Sequence, residues 1–327
     1  MSEKKKKRVY RILVCFAAVL LPGALIFWFC LGNAGEKDRK TKETQTPEVT
    51  EERIAVSGLQ KEYSFLFVTD SHMVVKDEAD SEEIKEYADS RYPQFQDAQG
   101  TASAELFAEL VDYANEETTD ALLLGGDMID YPSEANVEYL GEQLEELEVP
   151  YLYTPGNHDW TYPWEYMTPY GRETYRSMLE PYMQEDPAIH QIEYEDLILV
   201  AVDNSTNQID PDALTLYQKI LKKGKPVLLM LHVPLLTQSV LTKAKEAWSS
   251  PVVLGGGNYG GIYPDEVSTR FIELTTAENS PVVAVLAGHV HFSDRDQINE
   301  KIVQIVGAPG YQGKATRIRL VPASTEG

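Results

Sequence analysis

The sequence predicts an α/β protein, and three observations carry that prediction. Short apolar, β-rich runs alternate with stretches whose apolar residues recur at helical spacing, the alternation continues along most of the chain, and the apolar runs stop at turns bearing Asp, Asn or His. Such alternation places helices over both faces of a sheet and the strand ends on a shared rim. In order, Tyr63 to Asp70 reads as a strand, and Leu106, Phe107, Leu110, Val111 and Ala114 mark a helix. Ala121 to Asp127 reads as the next strand, followed by a helix marked by Val137, Leu140, Leu144 and Leu147 with Ser133 as its N-cap. Pro150 to Thr154 gives a third strand. Leu197 to Val202, Pro226 to Leu231, Pro281 to Ala287 and Lys301 to Val306 are further strand candidates, with helical patterns at 212–221 and 265–275. Two long insertions interrupt the pattern: 73–100, polar and acidic, and 160–183, rich in aromatic residues. The second holds Trp160, Tyr162, Trp164, Tyr166, Tyr170, Tyr175 and Tyr182, placed to wall a pocket and to pack as a small cap or to stack on a substrate ring.

The flanks differ in composition from this region. Residues 1–11 are basic, and 12–31 carry no charge, long enough as a helix to cross a hydrocarbon core of about 30 Å. The basic excess before that run predicts a cytoplasmic N-terminus, a single-pass membrane anchor and an extracellular remainder; secretion after cleavage near Ala34 is the rival expectation. Residues 32–61 read as a polar linker, 62–322 as the catalytic-sized domain and 323–327 as a tail. Both cysteines, Cys15 and Cys30, fall in the apolar run, so disulfides contribute nothing to the domain. The formal net charge of −23 argues against a nucleic-acid partner held by phosphate contacts.

Five of the six histidines fall in short motifs in a set order: Asp70-Ser-His72, Asn157-His158-Asp159, His232, and His289-Val-His291, with Gly125-Gly126-Asp127 between the first two. Neutral imidazoles and carboxylates bind divalent cations at neutral pH. On an extended strand, side chains two apart point the same way, so Asp70 and His72 are expected to grip one cation together, and His289 and His291 share that spacing. Gly288 is expected to let the backbone turn tightly, and Asp127 has two oxygens with which to bridge two cations. Singly, Asp70 or Asp127 would pass as a cap or turn residue and His232 as a strand-end residue; together they point to a metal site. Asp159 either supports this site or caps the segment after it, and Asp203 and Asn204 either shape a loop or touch substrate.

The ordered motifs D-x-H, G-D, G-N-H-D, a lone H after a strand and G-H-x-H resemble those of the calcineurin-like metallophosphoesterase family over about Tyr63 to Leu320. The resemblance implies a four-layer α/β/β/α sandwich, here preceded by the transmembrane helix. It also implies that Asp70, His72 and His291 hold one metal while Asn157, His232 and His289 hold the other, with Asp127 bridging and a shared hydroxide as nucleophile. By the same resemblance His158 is the non-ligand histidine that donates to the phosphoryl or leaving-group oxygen, and Asp130 orients it. The two metals would be manganese, iron or zinc, since the donor set is oxygen and imidazole without thiolate. Protein phosphatases of the family place arginines where this chain has Tyr131 and Pro155, so a diester or a small exported phosphoester is the expected substrate class. A nuclease of the same fold and a non-catalytic, metal-retaining surface module are the alternatives.

Overall fold

Two mixed sheets packed face to face, each backed by helices, make up the computed structural model, which describes residues 46–162, 166–183, 188–256 and 261–323. The predicted anchor at 12–31, its basic N-terminal flank and the cleavage point near Ala34 lie outside the described residues, as do 324–327 of the tail. Among the described residues no helix is long and apolar enough to cross a membrane.

The first sheet is built from β1 (Glu48–Val56), β2 (Tyr63–Val68), β3 (Ala121–Leu124), β4 (Tyr151–Tyr153) and β13 (Lys314–Pro322), in the order β1-β13-β2-β3-β4. The second is built from β5 (Ile189–Glu193), β6 (Ile198–Val202), β7 (Val227–Met230), β10 (Val282–Ala287), β11 (Asp294–Gln297) and β12 (Val303–Val306), in the order β11-β12-β10-β7-β6-β5. A short parallel pair, β8 (Val253–Leu254) and β9 (Gly261–Ile262), stands apart.

β2 shows why this sequence layers. Tyr63, Phe65 and Phe67 point into the space between the sheets, where they meet Leu199, Leu228, Met230 and Leu286 of the second sheet. Leu66 and Val68, on the opposite face, pack against Phe107 and Leu110 of α2 (Ser103–Glu116) and Val137 and Leu140 of α3 (Glu134–Glu145). The outer face of the second sheet is covered in the same way by Tyr217 of α4 (Pro211–Leu221) and Phe271 of α6 (Glu266–Thr276). Each such fully buried side chain contributes about 1.5–3 kcal/mol through its apolar area. The predicted cap Ser133 accepts from Asn136 N–H at 3.2 Å at the start of α3.

Several elements depart from the sequence reading. Part of the expected 32–61 linker is strand β1, whose register runs in parallel from Glu48 against Lys314 to Val56 against Pro322. Its polar edge hid it: only Ile54 and Val56 are buried, while Glu51 and Glu52 face solvent and pair with Arg319 and Arg295, each at 2.8 Å. The polar insertion 73–100 contains α1 (Glu82–Arg91), capped by Ser81, whose hydroxyl accepts from Ile84 N–H. α5 (Gln238–Ala247) is also absent from the periodicity reading, since it buries only Val240 and Ala244.

Candidate metal centre

The predicted ligands hang from loops at the carboxyl ends of β2, β3 and β4 in one sheet and of β7 and β10 in the other. Backbone bonds splice these loops together: Asp70 N–H donates to Gly126 O and His72 N–H to Asp127 O, both at 2.9 Å, and Gly288 N–H donates to His232 O at 2.9 Å. The structure gathers Asp70, His72, Asp127 and His291 into one group of side chains able to hold an ion, and Asp127, His232 and His289 into a second. Asp127 belongs to both. Its Oδ2 lies 3.2 Å from His232 Nε2 and 3.7 Å from His72 Nε2.

The geometry that achieves this differs from the expected one. Asp70 (φ 54°), His72 (φ 42°), Asp127 (φ 52°), His289 (φ 73°) and His291 (φ 55°) all have left-handed backbone, leaving Asn207 as the sixth such non-glycine residue among those described. The pairs at 70/72 and 289/291 therefore share a direction through two strained turns, not through an extended strand. Such residues cost about 1–3 kcal/mol each and persist where their surroundings over-determine them. Here Thr69 Oγ1 donates to Asp70 Oδ2 at 2.8 Å, and His289 N–H to Asp70 Oδ1 at 2.9 Å. Gly288 serves close approach, not a turn: a Cβ there would meet Thr69 Oγ1 and lie 2.5 Å from Asp70 Oδ2. Gly126 does need its freedom, with φ 91° and a Cβ position only 2.6 Å from His232 Nδ1.

Three features fit this cluster to cations. Asn157 Oδ1 is buried with no hydrogen-bond partner among the described residues, an acceptor left over at the cluster. His72 Nδ1–H donates to Asp130 Oδ1 at 3.1 Å and His232 Nδ1–H to Gly125 O at 2.8 Å, which sets both tautomers so that each Nε2 lone pair faces the cluster. Charge also accumulates: burial alone would push His232 down, yet Asp127 and Asp70 raise it to about 9, while burial and then His232 hold His289 down to about 3. The Asp127 and Asp70 carboxylates thus favour positive charge at this point of the cluster.

Asn157 sits beside this cluster, and His158 lies at its rim. The His158 ring stacks on Tyr162 at 4.2 Å between centroids. Its Nδ1–H donates to the Asp130 carbonyl at 2.8 Å and lies 3.1 Å from Asp130 Oδ1. Burial lowers the His158 imidazole, but Asp127 and Asp130 outweigh it and push it up. Burial likewise raises Asp130, and Arg91, His158 and His72 together reverse that and hold it far below the usual carboxylate range.

A cleft of about 400 Å³ opens over Asp127, Asn157, His158, His289 and His291, walled by Met167, Trp248, Pro251 and Val252 with Asn207 and Ser250 at its polar side. No Lys or Arg lines it among the described residues. Of the aromatic insertion, Trp160 is buried in the core, Tyr166 stacks on Tyr175, and Trp164 lies outside the described residues.

Three supporting residues went unassigned in the sequence. Asp159 accepts from the backbone N–H groups of Asp127, Met128, Ile129 and Gly156 at 2.7–3.0 Å, so it holds the Asp127 loop. Its place directly after His158 was the available signal. Asn204 Oδ1 accepts from the N–H groups of His232 and Val233 and so holds the His232 loop, whereas Asp203 pairs with Arg176 at 2.6 Å. Arg91, from the acidic insertion, carried no signal at all.

Fold and site together define a two-sheet α/β protein with a carboxylate–imidazole cluster at the sheet ends. The calcineurin-like phosphoesterase family model matches residues 63–293, and the chain belongs to that family of phosphoester hydrolases; the family uses a dinuclear metal centre, and the cluster above is this chain's candidate for one. A purple acid phosphatase from yellow lupin (Lupinus luteus) seeds is structurally similar, at 13% identity and TM-score 0.50, over 79% of this chain and 46% of that one. A dimetal phosphatase from Danio rerio aligns at 14% identity and TM-score 0.48, over 76% of this chain and 88% of that one. A phosphopantetheinyl hydrolase from Mycobacterium tuberculosis aligns at 14% identity and TM-score 0.42, over 78% and 92% of the two chains. Among curated proteins no sequence matches this chain.

Proposed function

We propose that the protein hydrolyses a phosphodiester or a small phosphomonoester with two metal ions, on the outer side of a membrane to which residues 12–31 anchor it. The observation that carries the reading is the buried Asn157 Oδ1, unpartnered among the described residues, beside two histidine–carboxylate groups that share Asp127. Asp70, His72, His291 and Asp127 would hold one ion, and Asn157, His232, His289 and Asp127 the other. Bound ions would supply charge neutralisation at the phosphoryl group and would activate a water as nucleophile. The chain itself supplies the proton. With its Nδ1–H committed to Asp130, His158 carries a transferable proton on Nε2 at the rim of the cleft and delivers it to the leaving oxygen.

The cleft narrows the substrate class. Tyr131 occupies the position of one family arginine, and its side chain packs with Tyr87 and Phe95, away from any phosphate role. With no Lys or Arg among the described lining residues, a dianionic monoester finds no guanidinium fork or ammonium to clamp its second charge. The manganese-loaded protein is therefore expected to turn over bis(p-nitrophenyl) phosphate with a higher kcat/KM than p-nitrophenyl phosphate. A strong monoester preference contradicts the substrate reading, and a folded, metal-loaded protein inert to both esters and to nucleotides contradicts the hydrolase reading.

A further inference from the structure

We propose that Arg91 is a positioning residue that locks His72 and His158 onto the single carboxylate of Asp130, a role that rests on the site reading above. Asp130 is fully buried and Asp130 Oδ1 lies 3.1 Å from both His72 Nδ1 and His158 Nδ1. One carboxylate thus orients a metal-ligand candidate and the proton-donor candidate at once. Arg91 closes the arrangement from behind with a fork, Nε to Oδ2 at 2.6 Å and Nη2 to Oδ1 at 2.9 Å. The two parallel donors fix the carboxylate plane, which a point charge cannot do.

A second route links the same residues. The guanidinium lies over the rings of Phe95 at 5.0 Å and Tyr162 at 5.1 Å. Phe95 stacks on His72 with centroids 4.4 Å apart and planes 6° apart, and Tyr162 stacks on His158 at 4.2 Å and 20°. Arg91 therefore touches, through one ring each, the same two imidazoles it reaches through Asp130. Flat stacking of this kind needs the planar guanidinium and adds to the forked pair. Both arms come from the insertions: Arg91 ends α1 and Phe95 follows it, while Tyr162 opens the aromatic segment. Arg91 is absent from the lining of the cleft, so its action on the reaction runs through Asp130 and, beside it, through the two rings.

The test uses the full chain with Arg91→Met, Arg91→Lys, Asp130→Asn and the Arg91→Met/Asp130→Asn double variant, each checked for folding by its melting transition. Two quantities are read: kcat and KM on a nitrophenyl ester, and Mn²⁺ affinity by titration calorimetry, which needs no substrate. Both Arg91 variants are expected to lower kcat about 10–100-fold at unchanged KM and to weaken Mn²⁺ binding, because loss of an orienting partner has that size of effect. Arg91→Lys keeps the charge and helix, so its loss cannot be assigned to misfolding. In the Asp130→Asn background Arg91→Met should have a much smaller effect on both readouts, since only the ring route is left to lose. Effects that multiply in the double variant, a KM rise at constant kcat, or unchanged Mn²⁺ affinity in both Arg91 variants would overturn the role. A wild-type protein that binds Mn²⁺ but cleaves no ester defeats the proposed function alone, since the affinity arm still decides Arg91. A wild type that binds no Mn²⁺ defeats both.

Discussion

Asp127→Asn is expected to empty both metal positions together and to lower turnover by more than the roughly 10–100-fold that losing an orienting partner costs. Asp127 is the one residue common to the two clusters, with Oδ2 within 3.2 Å of His232 Nε2 and 3.7 Å of His72 Nε2. Its other oxygen already accepts from His158 N–H at 2.7 Å, a bond that an asparagine oxygen can keep. Asparagine also tolerates the left-handed backbone at this position (φ 52°), so the change removes charge while sparing the turn. The amide would point an N–H₂ group or a neutral oxygen at the imidazoles, and neither attracts a cation as the carboxylate does. Metal content by plasma mass spectrometry, with the melting transition as a folding control, checks this. Full metal content with a rate near that of the wild type would contradict it.

His158→Ala should separate chemistry from metal binding. Its ring lies at the rim of the cleft and its Nδ1–H goes to Asp130, not to either ligand group, so both metal positions should fill as in the wild type. Turnover should fall about 10²–10⁴-fold, the usual range for a positioned general acid. The loss should be greater for an alkyl leaving group than for nitrophenolate, which departs without a proton. Asp127 and Asp130 push the His158 imidazole up against the opposing effect of burial. A group raised in this way stays protonated to higher pH, and a rate that needs its proton falls as pH rises through that point. The variant should lack this alkaline limb. Equal losses for both leaving groups, with the limb intact, would remove His158 from the acid role.

Much of the site could be read before the fold, because the ligand types cluster in short motifs that survive as local patterns. Asp70, His72, Asp127, Asn157, His158, His232, His289 and His291 all meet at the sheet ends where the strand runs pointed. The local geometry could not be read. Spacing of two residues suggested an extended strand, whereas the chain turns left-handed at each ligand of the 70/72 and 289/291 pairs, held there by bonds from Thr69 and His289 N–H that sequence does not display. The elements missed share one cause. β1 pairs with β13 across most of the chain and carries its charges outward, and α1 has a single buried residue, Ala88, so neither leaves an apolar period. Arg91 fell in that same gap: its partner Asp130 lies 39 residues away, and only the folded insertion brings them together.

Anomalous diffraction from crystals of the manganese-loaded protein tests the central claim most directly. Two peaks are expected on either side of the Asp127 carboxylate, one beside Asp70, His72 and His291 and the other beside Asn157, His232 and His289. No peak at Asp127, or a single ion held without it, would contradict the account.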